Sequence, residues 1–293
     1  MASGNTHYDE NNYVCGTINE HAVVVATCPQ GGTGNVNAGR LTGPIFKTFP
    51  NIRMAVLVGI GGGIPREEIP DEALDDIHLG DVVMGWPGDD GPACVYHERG
   101  RAKVDGRFDM ARTMRNPDWR LTQALSVLAS DHEIGKTTFE RTKRAKRFAH
   151  PGLEHDKLFK ARYHHVGSYE SRCKDCDARK LVQRPQRTEE GLQKLVFHQG
   201  RIATGNAVIQ NAELHGKIRA RCDGALCVEM EAAGVDASRR CLVVRGISYY
   251  ADSHKNDLWR AHAAGNAAAF TRELFCRIQP ATVKDMEVKP EGQ

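Results

Sequence analysis

Two acidic residues, Glu229 and Glu231, flank Met230 just before the run of small residues at 232–234. One carboxylate can accept hydrogen bonds from both vicinal hydroxyls of a ribose, and a methionine side chain can pack against the sugar face. The alternative is structural, because the helix dipole favours acids in the first turn of a helix. We take Glu229, Met230 and Glu231 as candidate substrate-binding residues, and we expect a helix to begin at Glu229.

Successive glycines follow the apolar run at 54–59, which is typical of a strand buried on both faces. Because they lack a Cβ atom, Gly61 and Gly62 would let backbone N–H groups approach a ligand closely. The segment lacks the Gly-Lys-Ser/Thr of a P-loop and the glycine spacing of a dinucleotide-binding fingerprint. A tight turn that ends the strand at Gly61 is the alternative interpretation.

Two further groups of polar residues follow predicted strands. Ser248, Asp252 and His254 come after the apolar strand at 241–247, and Thr204, Gly205 and Asn206 come after a strand that ends at residue 203. Binding residues of open α/β sheets gather at the carboxyl ends of strands, so both groups are site candidates. Simple turn or capping roles remain the alternative for residues such as Asp252.

Apolar strands that alternate with helical segments predict an α/β domain with a mostly parallel sheet covered on both faces. We expect one domain over residues 11–279, with residues 131–195 forming an irregular excursion. The polar segments 1–10 and 280–293 are expected to be disordered tails.

Composition excludes several classes of protein. The chain has 293 residues and a net charge of +3, which is too small to indicate a nucleic-acid partner. No apolar run approaches the roughly 20 residues of a membrane span, and the polar start lacks the apolar core of a signal peptide. We therefore expect a cytoplasmic location.

Nine cysteines scattered along such a chain favour free thiols over a disulfide framework. Cys173 and Cys176 could form half of a zinc site with His164 or His165. A single Cys-x-x-Cys pair is weak evidence for zinc, so we predict neither a metal ion nor another cofactor.

Several motifs, in this order, resemble the nucleoside phosphorylase and nucleosidase superfamily. More narrowly, the chain is similar to the purine-type domain of fungal proteins, often the N-terminal module of NLR-like or repeat-bearing chains. The stretches that carry the resemblance are GTGNVNAG (32–39), VGIGGGIP (58–65), HLGDVVMG (78–85), GRIATGN (200–206), VEMEAAG (228–234) and RGISYYADSHKNDLW (245–259).

The resemblance implies a three-layer α/β/α domain with a mixed, mostly parallel sheet that cleaves the bond between ribose C1′ and a base. It assigns Glu231 to the ribose hydroxyls and Met230 to the sugar face. It places the segment 204–206 near the base. Gly61 and Gly62 would line the floor where the attacking phosphate or water sits.

Three positions depart from the family pattern. Tyr249 stands where many members have an Asp that protonates the departing purine, which leaves Tyr249 and Asp252 as the candidate catalytic groups. Ile60 stands where phosphorylases carry a phosphate-binding Ser, so hydrolysis is favoured over phosphorolysis, a glycosyl transfer to phosphate. The family's first strand and its acidic residue have no counterpart in the polar opening residues, so that strand is expected to be missing.

The sequence thus predicts a nucleosidase of weak activity that acts on a purine nucleoside or nucleotide and can form a homo-oligomer. The alternatives are a catalytically inactive domain that binds a nucleoside or a partner chain, and a truncated gene product.

Overall fold

The computed structural model describes residues 9–88, 91–111, 114–137, 146–188, 195–235, 240–284 and 286. Its strands are β1 Tyr13–Ile18, β2 His21–Ala26, β3 Val56–Gly63, β4 Val82–Gly85, β5 Cys94–Tyr96, β6 Gly100–Ala102, β7 Phe108–Met110, β8 Phe197–Gly200, β9 Ile202–Thr204, β10 Cys227–Glu229 and β11 Leu242–Tyr249. Its α-helices are α1 Asn35–Thr48, α2 Trp119–Glu133, α3 Ala212–Arg221, α4 Arg260–Phe275 and α5 Pro280–Lys284. Among the described residues, none of these helices is long and apolar enough to cross a membrane.

Seven strands form the central sheet, in the order β5-β9-β10-β3-β11-β4-β8. The pairs β10–β3 and β11–β4 are antiparallel and the other four are parallel, which confirms the predicted mixed, mostly parallel sheet. Only Arg201 separates β8 from β9, although β8 lies at one end of the sheet and β9 lies near the other. The sheet must therefore curl, since this short connection brings its two ends together.

The strand β3 continues through Gly61, Gly62 and Gly63, so the expected turn at Gly61 is wrong. These glycines are needed for close packing between strands. A Cβ atom at Gly61 would lie 2.5 Å from the Cys227 sulfur, and one at Gly63 would lie 2.7 Å from Ile247 Cγ2. No side chain fits at these distances, which is why the strand ends in glycines.

One edge of β3 is open. Residues 56–62 pair with β11 on one side, whereas β10 pairs only with Gly62 and Gly63 on the other. Val58 is 39% exposed in this region, and β1 and β2 pair only with each other. Among the described residues, no strand lies on this side of residues 56–60. The N–H and C=O groups that point to this open edge therefore need water or another chain as a hydrogen-bond partner.

Helices cover the sheet because their apolar faces need burial. Leu121, Leu125 and Leu128 of α2 pack with Phe270 and Leu274 of α4 in the main core cluster. Their spacing of three and four residues places them on one face of each helix. A second cluster lies under α3, around its Ile218 side chain.

The remaining segments depart in part from expectation. Within the segment 131–195, residues 146–188 form four short 3-10 turns and one isolated bridge. Pro280–Lys284 forms α5, whereas we expected the disordered tail to begin there. The residues after Glu229 form a short 3-10 turn at Ala232–Gly234, so no α-helix begins at Glu229, and residues 236–239 lie outside the described range. Residues 1–8 of the expected N-terminal tail also lie outside the described range. The Asp9 carboxylate accepts a hydrogen bond from the Tyr13 hydroxyl at 2.6 Å, which anchors the first described residue.

Candidate active site

A buried arginine organises the acidic pair. Arg245 lies inside β11, and its guanidinium donates to Glu229 and, at 3.2 Å, to Glu231. The side chain of Glu229 is 0% exposed and that of Arg245 is 4% exposed. Burial opposes the charge on Arg245, but Glu229 and Glu231 raise its pKa above the ordinary value. Gly59 makes room for this group, because a Cβ atom there would overlap the guanidinium.

Glu229 has no surface left for a ligand. Besides Arg245, its carboxylate accepts the backbone N–H groups of Glu231, at 3.0 Å, and of Ala232, at 3.0 Å and 3.2 Å. A carboxylate that is wholly enclosed by protein donors cannot reach a substrate in this conformation. The assignment of Glu229 to substrate binding is therefore corrected: it shapes the turn that presents Glu231.

Glu231 keeps an exposed face. Its side chain is 22% exposed, one oxygen lies 3.2 Å from Arg245, and the other accepts the Gly34 N–H at 3.2 Å. Gly34 is the N-cap of α1, where free N–H groups and the helix dipole favour a negative charge. Met230, its neighbour, is half-buried. The carboxylate is thus fixed from two sides and open on a third.

Asn35 joins the segments around Glu231. Its amide donates to the Gly205 carbonyl at 3.1 Å and to the Asn206 side chain at 3.0 Å, while its oxygen accepts the Gly234 N–H at 3.0 Å. The start of α1 is therefore tied to the turn after β9 and to the turn that follows Glu231.

The turn after β9 contains one exposed and two buried residues. Thr204 and Gly205 are buried, whereas Asn206 is exposed. The Asn206 amide donates to Tyr96 and Glu98, at 2.8 Å and 3.0 Å. A Cβ atom at Gly205 would lie 2.5 Å from His97, whose pKa is lowered by burial. Only the Asn206 end of this turn is open to a ligand.

Ser248 and Tyr249 end β11 beside the glycines of β3. The Ser248 hydroxyl donates to the Gly61 carbonyl at 3.3 Å. The Tyr249 ring lies over Gly62, where an added Cβ atom would be 2.8 Å from Cζ. Gly61 and Gly62 are both buried, and the aromatic ring occupies the space that they leave. The two glycines therefore accommodate Tyr249 and Cys227 in this conformation.

The acidity of Tyr249 is reduced by its surroundings. Burial raises its pKa far above the ordinary value, and the charges of Cys227, Asp252 and Glu231 add to that rise. The Lys255 ammonium lies 5.3 Å from the ring centre. The phenol can donate a hydrogen bond, but it is a weak proton donor.

Asp252 and His254 line a cavity with Ser248 and Tyr249. Asp252 accepts the His254 N–H at 3.0 Å, and its other oxygen lies 3.4 Å from His254 Nδ1. Both residues are buried, and neither ring nitrogen of His254 has a hydrogen-bond partner among the described residues.

A buried ionic network holds the excursion against this cavity. Asp156 accepts from His78 at 2.6 Å, from Arg184 at 3.2 Å and from the Tyr250 hydroxyl. Burial opposes the charge on Asp156, but its hydrogen bond from His78 and the charge of Arg184 lower its pKa. The segment 156–184 is thereby fixed next to the end of β11.

Sequence reasoning predicts a site at the ends of β9, β10 and β11, but it missed several residues that the structure places there. Arg245 was missed although a charged residue inside an apolar strand indicates a buried partner. Asn35, His97 and Glu98 gave no such signal, because only the folded chain brings them to residues 205 and 206.

No family model matches the chain. A nucleotide-binding leucine-rich repeat (NLR)-like protein of Hyaloscypha variabilis is 33% identical over 282 residues, which cover 94% of this chain and 27% of that protein. The chain thus spans about a quarter of the length of this curated relative.

Solved structures of nucleosidases match along most of the chain. The 5'-methylthioadenosine/S-adenosylhomocysteine nucleosidase of Neisseria meningitidis, in complex with methylthio-immucillin-A, matches with a TM-score of 0.55 and 18% identity, over 92% of this chain and 91% of that one. A futalosine hydrolase mutant of Helicobacter pylori matches with a TM-score of 0.54 and 16% identity, over 90% and 85%. The chain therefore shares the fold of these two enzymes. At these identities the similarity establishes the fold, and the activity is a separate question.

Proposed function

We propose that this domain binds a purine nucleoside or nucleotide through its ribose and hydrolyses the N-glycosidic bond slowly. Glu231 would accept the 2′ and 3′ hydroxyls, Met230 would pack on the sugar, and Asn206 would lie near the base. Tyr249, Asp252 and His254 would face the rest of the ligand from the cavity at the end of β11.

The fixed carboxylate of Glu231 carries this proposal. Arg245 and the Gly34 N–H hold it in place, and its exposed face can accept two further hydrogen bonds. Vicinal hydroxyls supply two donors at the spacing of one carboxylate. Such a preorganised acceptor loses little entropy when the ligand binds.

Binding of ribo- and deoxyribonucleosides tests this role. A hydrogen bond to a charged group contributes roughly 1.5–3 kcal/mol, so Glu231→Gln should weaken binding of adenosine or its nucleotides about tenfold or more. The 2′-deoxy ligands should bind the unaltered protein as weakly as the ribo ligands bind the variant. Glu213→Gln, an exposed change on α3, is the matched control and should leave affinity unchanged. Equal affinity for both sugars would contradict the proposal.

Slow hydrolysis follows from the groups around the scissile bond. Departure of a purine is accelerated by protonation, and such acid catalysis contributes roughly 10²–10⁴ in rate. A buried phenol with a raised pKa offers a hydrogen bond in place of a proton. Ile60, which is half-buried in β3, offers no hydroxyl for phosphate. We therefore favour water as the attacking group.

The second candidate is a domain that binds the nucleoside without cleaving it, within a longer protein in the cytoplasm. The raised pKa of Tyr249 and the similarity to a much longer NLR-like protein favour it. Nucleoside binding that depends on Glu231, with no free base released after prolonged incubation, would establish this candidate. Base release that is lost in Glu231→Gln would establish the enzyme. Sedimentation of the same samples, with and without ligand, would show whether a homo-oligomer forms.

A further inference from the structure

Three metal-ligating side chains meet in the excursion, although they are spread over residues 165–176. The ligand atoms of His165, Cys173 and Cys176 all lie within 4.8 Å of one another. Cys173 is buried, and the other two residues are half-buried. Cys173 also lines the cavity at the end of β11 that the proposed function assigns to part of the ligand, whereas His165 and Cys176 do not line it.

The backbone is shaped to bring the two thiols together. Arg172 and Cys173 have φ values of 50° and 61°, in the left-handed region that non-glycine residues rarely adopt. Residues of this kind persist only when the surrounding structure holds them. Here they reverse the chain between the 3-10 turn at Tyr169–Ser171 and Cys176.

The histidine is held independently of the thiols. The His165 N–H donates to the Ser253 hydroxyl at 3.0 Å, and the His165 ring stacks on Tyr169 with 5.5 Å between ring centres. The backbone of His165 is therefore tied to the loop that follows β11, while its ring packs within the excursion. A group bound by all three side chains would cross-link two segments of the excursion, one at His165 and one at Cys173–Cys176.

Two thiolates and one imidazole are the donor set of zinc. Zinc takes sulfur ligands at about 2.3 Å and nitrogen ligands at about 2.0–2.1 Å in tetrahedral geometry, so its ligand atoms lie about 3.6–3.8 Å apart. The three observed atoms need to approach one another by only about 1 Å, which small side-chain rotations provide. Carboxylate-preferring ions such as Mg²⁺ and Ca²⁺ are disfavoured by this set.

We propose that His165, Cys173 and Cys176 bind one zinc ion, which cross-links two segments of the excursion. Three protein ligands leave the fourth tetrahedral position for water or another ligand. The site differs from our expectation of no metal, which rested on the weakness of a single Cys-x-x-Cys pair in sequence.

Metal content tests the proposal without reference to enzymatic activity. We expect about one zinc per chain by mass spectrometry of the purified, tag-free full chain kept under reducing conditions. The double variant Cys173→Ser/Cys176→Ser should lose it, whereas Cys276→Ser, a change at a free thiol elsewhere, should retain it. Equal zinc in the double variant would overturn the assignment.

A second measurement needs no variant and so does not depend on how the variants fold. After the zinc is removed with a chelator, added Co²⁺ should give the thiolate charge-transfer band and the intense visible bands of tetrahedral cobalt. Zinc should displace the cobalt and abolish those bands. A reduced wild-type chain that holds no zinc as purified and gives no such bands would refute the proposal, as would a Cys173–Cys176 disulfide that persists in place of metal.

Discussion

Replacement of Arg245 by methionine should strongly destabilise the domain. The change keeps an unbranched apolar side chain at this position but removes the only cation that contacts the fully enclosed carboxylate of Glu229 among the described residues. Two N–H donors, from Glu231 and Ala232, would remain for a buried negative charge. Burial of an ionised group without a counter-charge is the costly case, whereas the paired ions roughly break even.

The expected loss is about 3–5 kcal/mol in the free energy of unfolding, because one partner of a buried ion pair is removed. For a domain of this size that corresponds to a fall of roughly 6–20 °C in melting temperature. The assay is urea unfolding followed by both circular dichroism and tryptophan fluorescence, whose agreement would support a two-state analysis. Arg179→Met is the matched control, since Arg179 forms an exposed pair with Asp177 and should leave the unfolding curve unchanged.

The double variant Arg245→Met/Glu229→Gln should recover most of the loss, because the neutral amide no longer needs a counter-charge. Gly59→Ala adds an independent check, since its Cβ atom would overlap the Arg245 guanidinium. The alanine should therefore cost much less in the Arg245→Met background than in the wild type. A single variant as stable as the wild type, or a double variant no more stable than the single one, would refute this account of the acidic pair.

Three other predictions concern neighbouring parts of the fold. Burial opposes the charge on Asp81, but Arg187 and His198 lower its pKa to about 2. The ionised Asp81 therefore contributes its full stabilisation above the ordinary pKa and loses it as the pH falls from about 4 to about 2. The unfolding curves of Asp81→Asn and of the wild type should converge over that range. Gly62→Ala places a Cβ atom 2.8 Å from the Tyr249 ring, and this overpacking should lower the free energy of unfolding by about 1–3 kcal/mol. Thermal melts would measure the loss, with Gly216→Ala, where the space is open, for comparison. Added phosphate should not change any release of base, since Ile60 offers no phosphate ligand. Chromatography of the products should show no ribose 1-phosphate, and stimulation by phosphate would contradict hydrolysis.

The sheet could be predicted from sequence because its strands are continuous apolar runs. The runs at 54–59 and 241–247 are buried on both faces, so their hydrophobicity is a local property that reports their position in the sheet. The order of the motifs predicts a site at the ends of β9, β10 and β11. By contrast, the end of β3 could not be predicted, since glycines are typical both of a turn and of a strand packed tightly against large side chains.

The roles of individual site residues depended on tertiary contacts. Glu229 and Glu231 differ little in sequence context, yet one is enclosed by Arg245 and backbone N–H groups and the other keeps an open face. His165, Cys173 and Cys176 carried little weight in sequence because only two of them are close in the chain.

The sequence by itself determined the fold class and the central strands, because these depend on hydrophobic patterning, and its motif order predicts the region of the site. Tertiary structure decided which carboxylate can meet a ligand, which glycines make room for Arg245 and Tyr249, and which thiols and imidazole converge. Those properties depend on distances between residues far apart in the chain, and no local pattern encodes them.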